Sequence, residues 1–414
     1  MEELTLHHTE CADEFSKQMD RSVWDDFLKN SGESSIHLSW PAVHAALSSQ
    51  TRQVRAGWWM KGEDEVHGIA LCEDSEAISQ SVDEFLDGTV LFKWAKSWLH
   101  RQGGFRFRVR VVGTPLASGP HGYRFSPEVN EWACLRELLS LSGMGHSDAP
   151  RTWVIKDRLC HHEWGDGFRL SGRSLWRKDW VDLEFDPVMR VDLKGKGTWG
   201  LYLDSMRTKS RTKVKRVLSL SEGIELQALT ADEIEENLDE LYPLYMKVYG
   251  RAAFRLGCLQ AEDLVLLKRD MGEDFQVWSS RWEGRLIGFH CGMCNGEEVE
   301  AYFVGFQPEY NKSHALYQRM LLEFIRWGID RGCHSVNLGR TALDIKASLG
   351  AEPQRLVLHQ RSTSPVMHLL ARWAARASAP KQHMLKRAWK ESPRGEGPAS
   401  LHHEVVPSTG ASIS

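Results

Sequence analysis

Apolar and polar positions alternate in the same way at two distant places in the chain. Near residues 54–72, VRAGWWMKGEDEVHGIALC reads as two strands joined by a charged, glycine-containing turn. Near 275–294, FQVWSSRWEGRLIGFHCGMC repeats that build, with Glu283-Gly284-Arg285 as the turn. Gly68 and Gly288 fall at comparable points of the second strand, an echo that suggests two copies of one fold.

The second half is the clearer one. Ile234, Leu238, Leu241, Tyr245 and Val248 recur at helical spacing, and Pro243 is expected to kink or break that helix. A short helix is predicted near 260–271. Asn295-Gly296 turns the chain into EVEAYFVGF, a strand running through about Phe306. Leu316, Met320, Phe324 and Trp327 then form one stripe of a long amphipathic helix, Gly332 ends it, and HSVNL and RLVLHQR read as strands. In the first half FRFRVRVVG is a strand, TPLASGPHGY a Gly/Pro loop, 127–142 a helix and RTWVIKDRL a strand. This order predicts an α/β protein with mixed, mainly antiparallel sheets flanked by helices. The expected units are an acidic helical lead-in at 1–30, a first domain at 31–185, a second at 190–365, and a basic segment with a disordered tail at 366–414. DPVMRVDLKGKGTW, near 186–198, has the Pro and Gly of a linker.

A chain of 414 residues, 42% apolar and 26% charged, is that of a globular protein large enough for two cores. A net charge of −4 excludes a polycation, so attraction to phosphate must be local. No apolar run approaches the roughly 18–20 residues of a membrane span, and the N-terminus lacks signal-peptide order, so a cytoplasmic location is expected. The eight cysteines are scattered. Cys291 and Cys294, the one close pair, are expected to face opposite sides of a strand. His161-His162 and His402-His403 are adjacent pairs without spaced partners, and no metal is predicted.

Two stretches carry candidate chemistry. In WGLYLDSMRTKSRTKVKRVLSLSEGIEL, six cations lie between Arg207 and Arg216, with Arg207, Arg211 and Lys215 on one helical face; spacing alone also fits a solvated surface helix. In NLGRTALDIKASLGAEP, Arg340, Thr341 and Lys346 crowd one strand-to-helix turn. The first stretch resembles the segment opening the second domain of the Fem-type and peptidoglycan-bridge transferases and of related acetyltransferases of the GNAT superfamily. AYFVGFQPEYNKSHALYQRMLLEFIRWGIDRGCHSVNLGRTALDIKASLGAEP resembles the strand–helix–strand core and Lys…Leu-Gly-Ala signature of that family, and VVGTPLASGPHGYRF resembles its first-domain glycine loop.

The resemblance implies two tandem GNAT-like domains and transfer of an acyl group from an activated donor, acyl-CoA first, to an amine. Lys346 then corresponds to a lysine near the transferring carbonyl, where a cation would stabilise charge on oxygen. Arg340 and Thr341 would hold a phosphate or carboxylate. Glu300 would take a proton from the acceptor and Tyr302 return one to the leaving group, with Tyr317 lining the substrate site. QPEYNKSHALYQ carries no glycine, unlike the usual pyrophosphate loop of CoA-binding relatives. Two alternatives therefore stand: an aminoacyl-tRNA donor whose phosphates meet Arg207, Arg211 and Lys215, and a non-catalytic module that binds an anionic polymer. Residues 371–390, basic and carrying Trp373 and Trp389, are expected to suit a peripheral contact at an inner membrane face.

Overall fold

The computed structural model describes residues 4–31, 35–62, 65–79, 105–144, 149–159, 180–184, 186–252, 254–365, 368–369, 371–372 and 387–390. Trp373, the paired histidines at 161–162 and 402–403, and the tail at 393–414 lie outside them.

Two sheets organise the chain. The first contains β1 (Thr5–Thr9), β2 (Gln53–Lys61), β3 (Glu65–Ser79), β4 (Phe105–Val112), β5 (Tyr123–Phe125), β6 (Thr152–Leu159), β7 (Val181–Glu184), β10 (Phe254–Leu256) and β16 (Leu356–Ser362). The second contains β8 (Val188–Asp192), β9 (Glu225–Ala228), β11 (Phe275–Trp282), β12 (Arg285–Asn295), β13 (Glu298–Phe306), β14 (Ser335–Asn337) and β15 (Ala351–Gln354). The helices are α1 (Ala12–Gln18), α2 (Arg21–Asn30), α3 (Trp40–Ser48), α4 (Glu131–Ser140), α5 (Trp199–Ser205), α6 (Thr208–Leu220), α7 (Ala231–Glu236), α8 (Leu238–Tyr249), α9 (Ala261–Met271), α10 (Pro308–His314), α11 (Leu316–Asp330) and α12 (Leu343–Ser348).

Both sheets have one plan. The first runs β1-β2-β3-β4-β6-β16-β7 and the second β9-β11-β12-β13-β14-β8-β15. In each, four antiparallel strands are followed by one parallel step, β4 to β6 or β13 to β14, and then by two antiparallel strands. The sequence echo is therefore structural. Gly68 pairs with Trp59 and Gly288 with Ser280, and each glycine sits at a β-bulge next to its hairpin turn. A Cβ on Gly68 would lie 2.2 Å from the Phe125 ring, and one on Gly288 2.5 Å from Met320, so both places need a residue without a side chain.

The second half gives strands β10 and β16 to the first sheet. The chain crosses from β7 in the first sheet to β8 in the second at Asp186-Pro187, and returns at Arg355 from β15 to β16. The strand of RLVLHQR, expected as the last of residues 190–365, is thus a near-edge strand of the first sheet. Residues 1–30 also differ from the expected lead-in. Thr5–Thr9 pairs with β2, and Phe15 and Trp24 are fully buried with Trp58 in the first core.

Local chemistry explains the helices. The α11 stripe holds as predicted, with Leu316, Met320 and Phe324 buried and Trp327 half-buried. The helix expected around Pro243 breaks earlier, at Asn237. A capping box between Thr230 and Glu233 starts α7, and Asn237 both ends it and opens α8, so Pro243 lies within α8. Cys291 and Cys294 enter different cores, on opposite faces as expected, and the Cys294 thiol lies 4.0 Å from that of Cys333. No described helix is long and apolar enough to cross a membrane.

Candidate functional site

The parallel step of the second sheet is short. Strands β13 and β14 share three rungs, Glu298 with Ser335, Val299 with Val336 and Glu300 with Asn337. Past Asn337 the chain stays with β8, through Leu338 N–H to the Met189 carbonyl and Met189 N–H to the Gly339 carbonyl. Strand β13 departs in the other direction. Its pairing with β12 skips Tyr302, since Ala301 faces Gly292 and Phe303 faces Cys291, and this bulge bends the strand. Ala301–Phe306 therefore has no strand partner on its β14 side among the described residues, and Ala301, Tyr302, Phe303 and Val304 are only half-buried. The result is a parted sheet whose gap opens at the Glu300–Asn337 rung.

The first half covers that rung. His37, on the 3-10 turn Ile36–Leu38, places Nε2 2.9 Å from Glu300 Oε2, and His121, in the Gly/Pro loop after β4, places Nε2 3.3 Å from the same oxygen. A carboxylate only accepts, so the His37 ring donates. Asn295 donates to Glu300 Oε1 at 2.7 Å, and its own Oδ1 accepts from the Ile36 amide at 2.9 Å. The loop is held over the site by four contacts: Asn337 Nδ2 to the Ser118 carbonyl (2.9 Å), the Gly119 amide to Asp157 (3.1 Å), His121 Nε2 to the Ser118 carbonyl (3.2 Å) and Lys156 to the Ala117 carbonyl. Close contact of Gly113 with Gly122 pinches its base, where a Cβ on Gly122 would lie 2.7 Å from the Gly113 amide nitrogen.

Electrostatics follow from burial. Burial alone would raise the Glu300 carboxyl, but His121, His37 and the hydrogen bonds from His37 and Asn295 outweigh it and hold it at about 2. Burial, with His37 and Lys156 nearby, pushes His121 down to about 4 despite Glu300. A carboxylate with three donors is stable and weakly basic. Burial pushes the Tyr302 phenol upward, with Arg52 opposing and Asp263 adding to it, so it stays protonated. Its ring lies 6.0 Å from that of His37, so Glu300 and Tyr302 do share one neighbourhood.

The Arg340 turn sits at the end of β14. Gly339, Thr341 and Ala342 all have positive φ (72°, 66° and 49°), a strained run for two non-glycine residues. Arg340 donates to the Asp186 carbonyl at 2.7 Å and pairs with Asp157, so its guanidinium ties the two halves together. Thr341 is exposed. Lys346, 2% exposed, donates to the Arg340 carbonyl, and burial brings its pKa down to about 7. Tyr317 is half-buried at the start of α11, its ring 5.8 Å from Phe306, and burial pushes its phenol up to about 12.

The basic helix lies elsewhere. Val214 and Val217 bury one face of α6, while Arg207 and Lys215 are exposed and half-buried Arg211 is 3.4 Å from Asp204. Trp389, read from sequence as facing a membrane, is instead tucked between Gly350, Tyr202 and Lys196. A Cβ on Gly350 would lie 2.2 Å from that indole. His37, His121, Asn295 and Asn337 are not read as site residues from sequence, where Asn295 figures only as part of a turn. Nothing local marks His37, and the Gly-Pro-His-Gly run shows a loop without showing what it covers.

Residues 204–347 match the family model described as an acetyltransferase (GNAT) domain. No curated protein matches the sequence. Among solved structures, N-myristoyltransferase of Saccharomyces cerevisiae with bound myristoyl-CoA and inhibitors aligns at TM-score 0.50 and 8% identity, over 86% of this chain and 80% of that one. A tandem GNAT protein from the clavulanic acid biosynthesis pathway aligns at 0.45 and 12%, over 88% and 99%. FemX aligns at 0.46 and 10%, over 85% and 98%. At such identities the likeness to the yeast enzyme is one of fold.

Proposed function

We propose, on the premise that residues 204–347 form a GNAT acyltransferase domain, that the chain moves an acyl group from an acyl-CoA donor to an amine. The observation that carries this reading is the β13 edge over Ala301–Phe306, which has no strand partner on its β14 side among the described residues. A free strand edge presents alternating N–H and C=O groups, which suit the amides of an extended pantetheine arm laid along it. The far end of such a donor is less provided for. The Tyr317 amide, at the start of α11, already donates to Asn311 Oδ1 at 3.2 Å, so the helix end does not present all its amides to a pyrophosphate.

In the proposed reaction the neutral amine attacks the thioester carbonyl, forming the C–N bond. The C–S bond then breaks, the nitrogen gives up one proton to leave the neutral amide, and the leaving thiolate takes one. Lys346, on α12 just after the Arg340 turn, stabilises negative charge on the carbonyl oxygen. In this reading protonated Tyr302 supplies the thiolate's proton and regains the one that the nitrogen loses. Held at about 2, Glu300 is too weakly basic to deprotonate an ammonium at neutral pH, and we assign it a positioning role in place of the base role expected from sequence. Arg340 would shape the turn rather than grip substrate, because its guanidinium is committed to Asp157.

The test is a mass-spectrometric transfer assay with a panel of acyl-CoA donors and amines. Lys346→Ala is expected to lower the rate by about 10²–10³-fold with little change in donor KM. A wild-type rate in that variant refutes the assignment. One observation keeps an aminoacyl-tRNA donor as a second reading: Lys209, Lys215 and Arg216 on α6, and Arg207 at its N-cap, are all exposed. Filter binding of tRNA with a steep salt dependence, lost on charge reversal at Lys209 and Lys215, would favour it.

A further inference from the structure

We propose that His37, His121 and Glu300 form a binding site for one divalent transition-metal ion, with Zn²⁺ the ion that best suits its donors. The ion would staple the two halves of the chain together. His37 Nε2, His121 Nε2 and a Glu300 carboxylate oxygen all lie within 4.8 Å of one another, and all three residues are buried. Ligands about 2.0–2.2 Å from a tetrahedral ion stand roughly 3.3–3.6 Å apart. The 2.9 Å and 3.3 Å separations from Glu300 to the two rings are within a few tenths of an ångström of that. Two imidazoles and one carboxylate are a known three-ligand zinc set that leaves a fourth position for water or substrate.

The support around the ligands is also that of a built site. Metal-binding side chains are held by a further layer of hydrogen bonds that fixes their orientation. Asn295 does this for two elements at once, donating to Glu300 Oε1 and accepting from the Ile36 amide on the turn that carries His37. Gly119, at φ 141°, makes room for the His121 ring, since a Cβ there would lie 2.4 Å from Nε2. The loop bearing His121 is pinned to Asn337 and to Asp157, so the ring is carried by a braced segment.

Binding moves no electrons. Each ring must give up its Nε2 proton and take the tautomer protonated at Nδ1, so that Nε2 presents its lone pair. The contacts of both rings with Oε2, and that of His121 with the Ser118 carbonyl, then give way to metal–ligand bonds. The ligands come from the 3-10 turn, the Gly/Pro loop and β13, so the ion would cross-link both halves at the rung where the sheet parts.

The experiment uses the full chain, stripped with a chelator and titrated with ZnCl₂ by calorimetry, together with anomalous scattering at the zinc edge from crystals grown with ZnCl₂. One equivalent is expected to bind more tightly than the weak background of surface histidines, and to raise the unfolding temperature. His121→Ala and Glu300→Gln should remove that equivalent, and Asn295→Ala should weaken it by about 10–100-fold. The proposal is overturned if no tight equivalent appears, or if it survives unchanged in the ligand variants. If those variants do not fold, the wild-type anomalous peak decides: density between the three side chains supports the site, and density only elsewhere refutes it. None of these readouts depends on acyl transfer, so failure of the proposed activity would leave the result intact.

Discussion

Acidification should weaken this fold through His290, and the size of the effect can be worked from its surroundings. The ring lies fully buried on β12, stacked 4.9 Å from Trp278 and edge-on to Phe324 at 5.1 Å. Neither ring nitrogen has a hydrogen-bond partner among the described residues. Burial first, and Arg319 second, push its pKa from 6.5 down to about 3. A histidine whose folded pKa lies below its unfolded value costs stability as pH falls, because the unfolded chain takes a proton that the folded chain refuses. That loss begins near 6.5 and levels off near 3. At about 1.4 kcal/mol per pH unit, this one residue removes about 2 kcal/mol between pH 7.5 and pH 5. His290→Phe replaces the ring by an apolar one of similar size between the same aromatic neighbours and removes the titration. Urea unfolding followed by tryptophan fluorescence at the two pH values measures both chains. The variant should lose about 2 kcal/mol less than the wild type on acidification. Equal losses would refute the reasoning, since His290 would then titrate alike in both states.

Other expectations rest on single contacts. Arg110 and Asp74 form a fully buried bidentate pair (2.7 and 2.9 Å), and Arg110 also donates to three backbone carbonyls, so Arg110→Ala should cost about 3–5 kcal/mol in chemical unfolding; a loss below 1 kcal/mol would contradict this. Gly305→Val would press a side chain against the backbone of Leu244 and Tyr245, 2.7 and 2.6 Å from the new Cβ, and should lower the urea midpoint by the equivalent of about 1–3 kcal/mol. Trp389→Ala should cost about 1–3 kcal/mol and raise proteolysis near residue 387, since the indole anchors the segment whose Ala388 carbonyl accepts from Arg207 N–H. An unchanged melting temperature would show that this anchor carries no stability.

Much of the scaffold was legible because its signals are local. Strand alternation, the Asn295-Gly296 turn and the stripe from Leu316 to Trp327 are fixed by neighbours within a few residues. The echo of Gly68 and Gly288 was legible for the same reason, because a bulge beside a hairpin demands glycine wherever the hairpin recurs. The crossing of β16 into the first sheet was not, since nothing in a seven-residue strand says which of two similar sheets will accept it. The site divides likewise. Glu300 and Tyr302 on β13 and Lys346 on α12 fall within one short stretch of chain, so they could be named together as candidates from sequence. His37 and His121 reach Glu300 only after the two halves dock, a contact between residues 263 positions apart for His37 that no sequence window contains. Arg340 shows the converse: its placement at a tight turn suggests an anion site, while its partner turns out to be Asp157 of the other half.

Hydrogen–deuterium exchange of the β13 amides with and without an acyl-CoA is the most direct test of the central claim, that an activated acyl donor lies along the parted edge of the second sheet. Exchange over Ala301–Phe306 should slow when donor is added to the full chain. Donor-dependent protection that leaves Ala301–Phe306 unchanged while appearing elsewhere would contradict it.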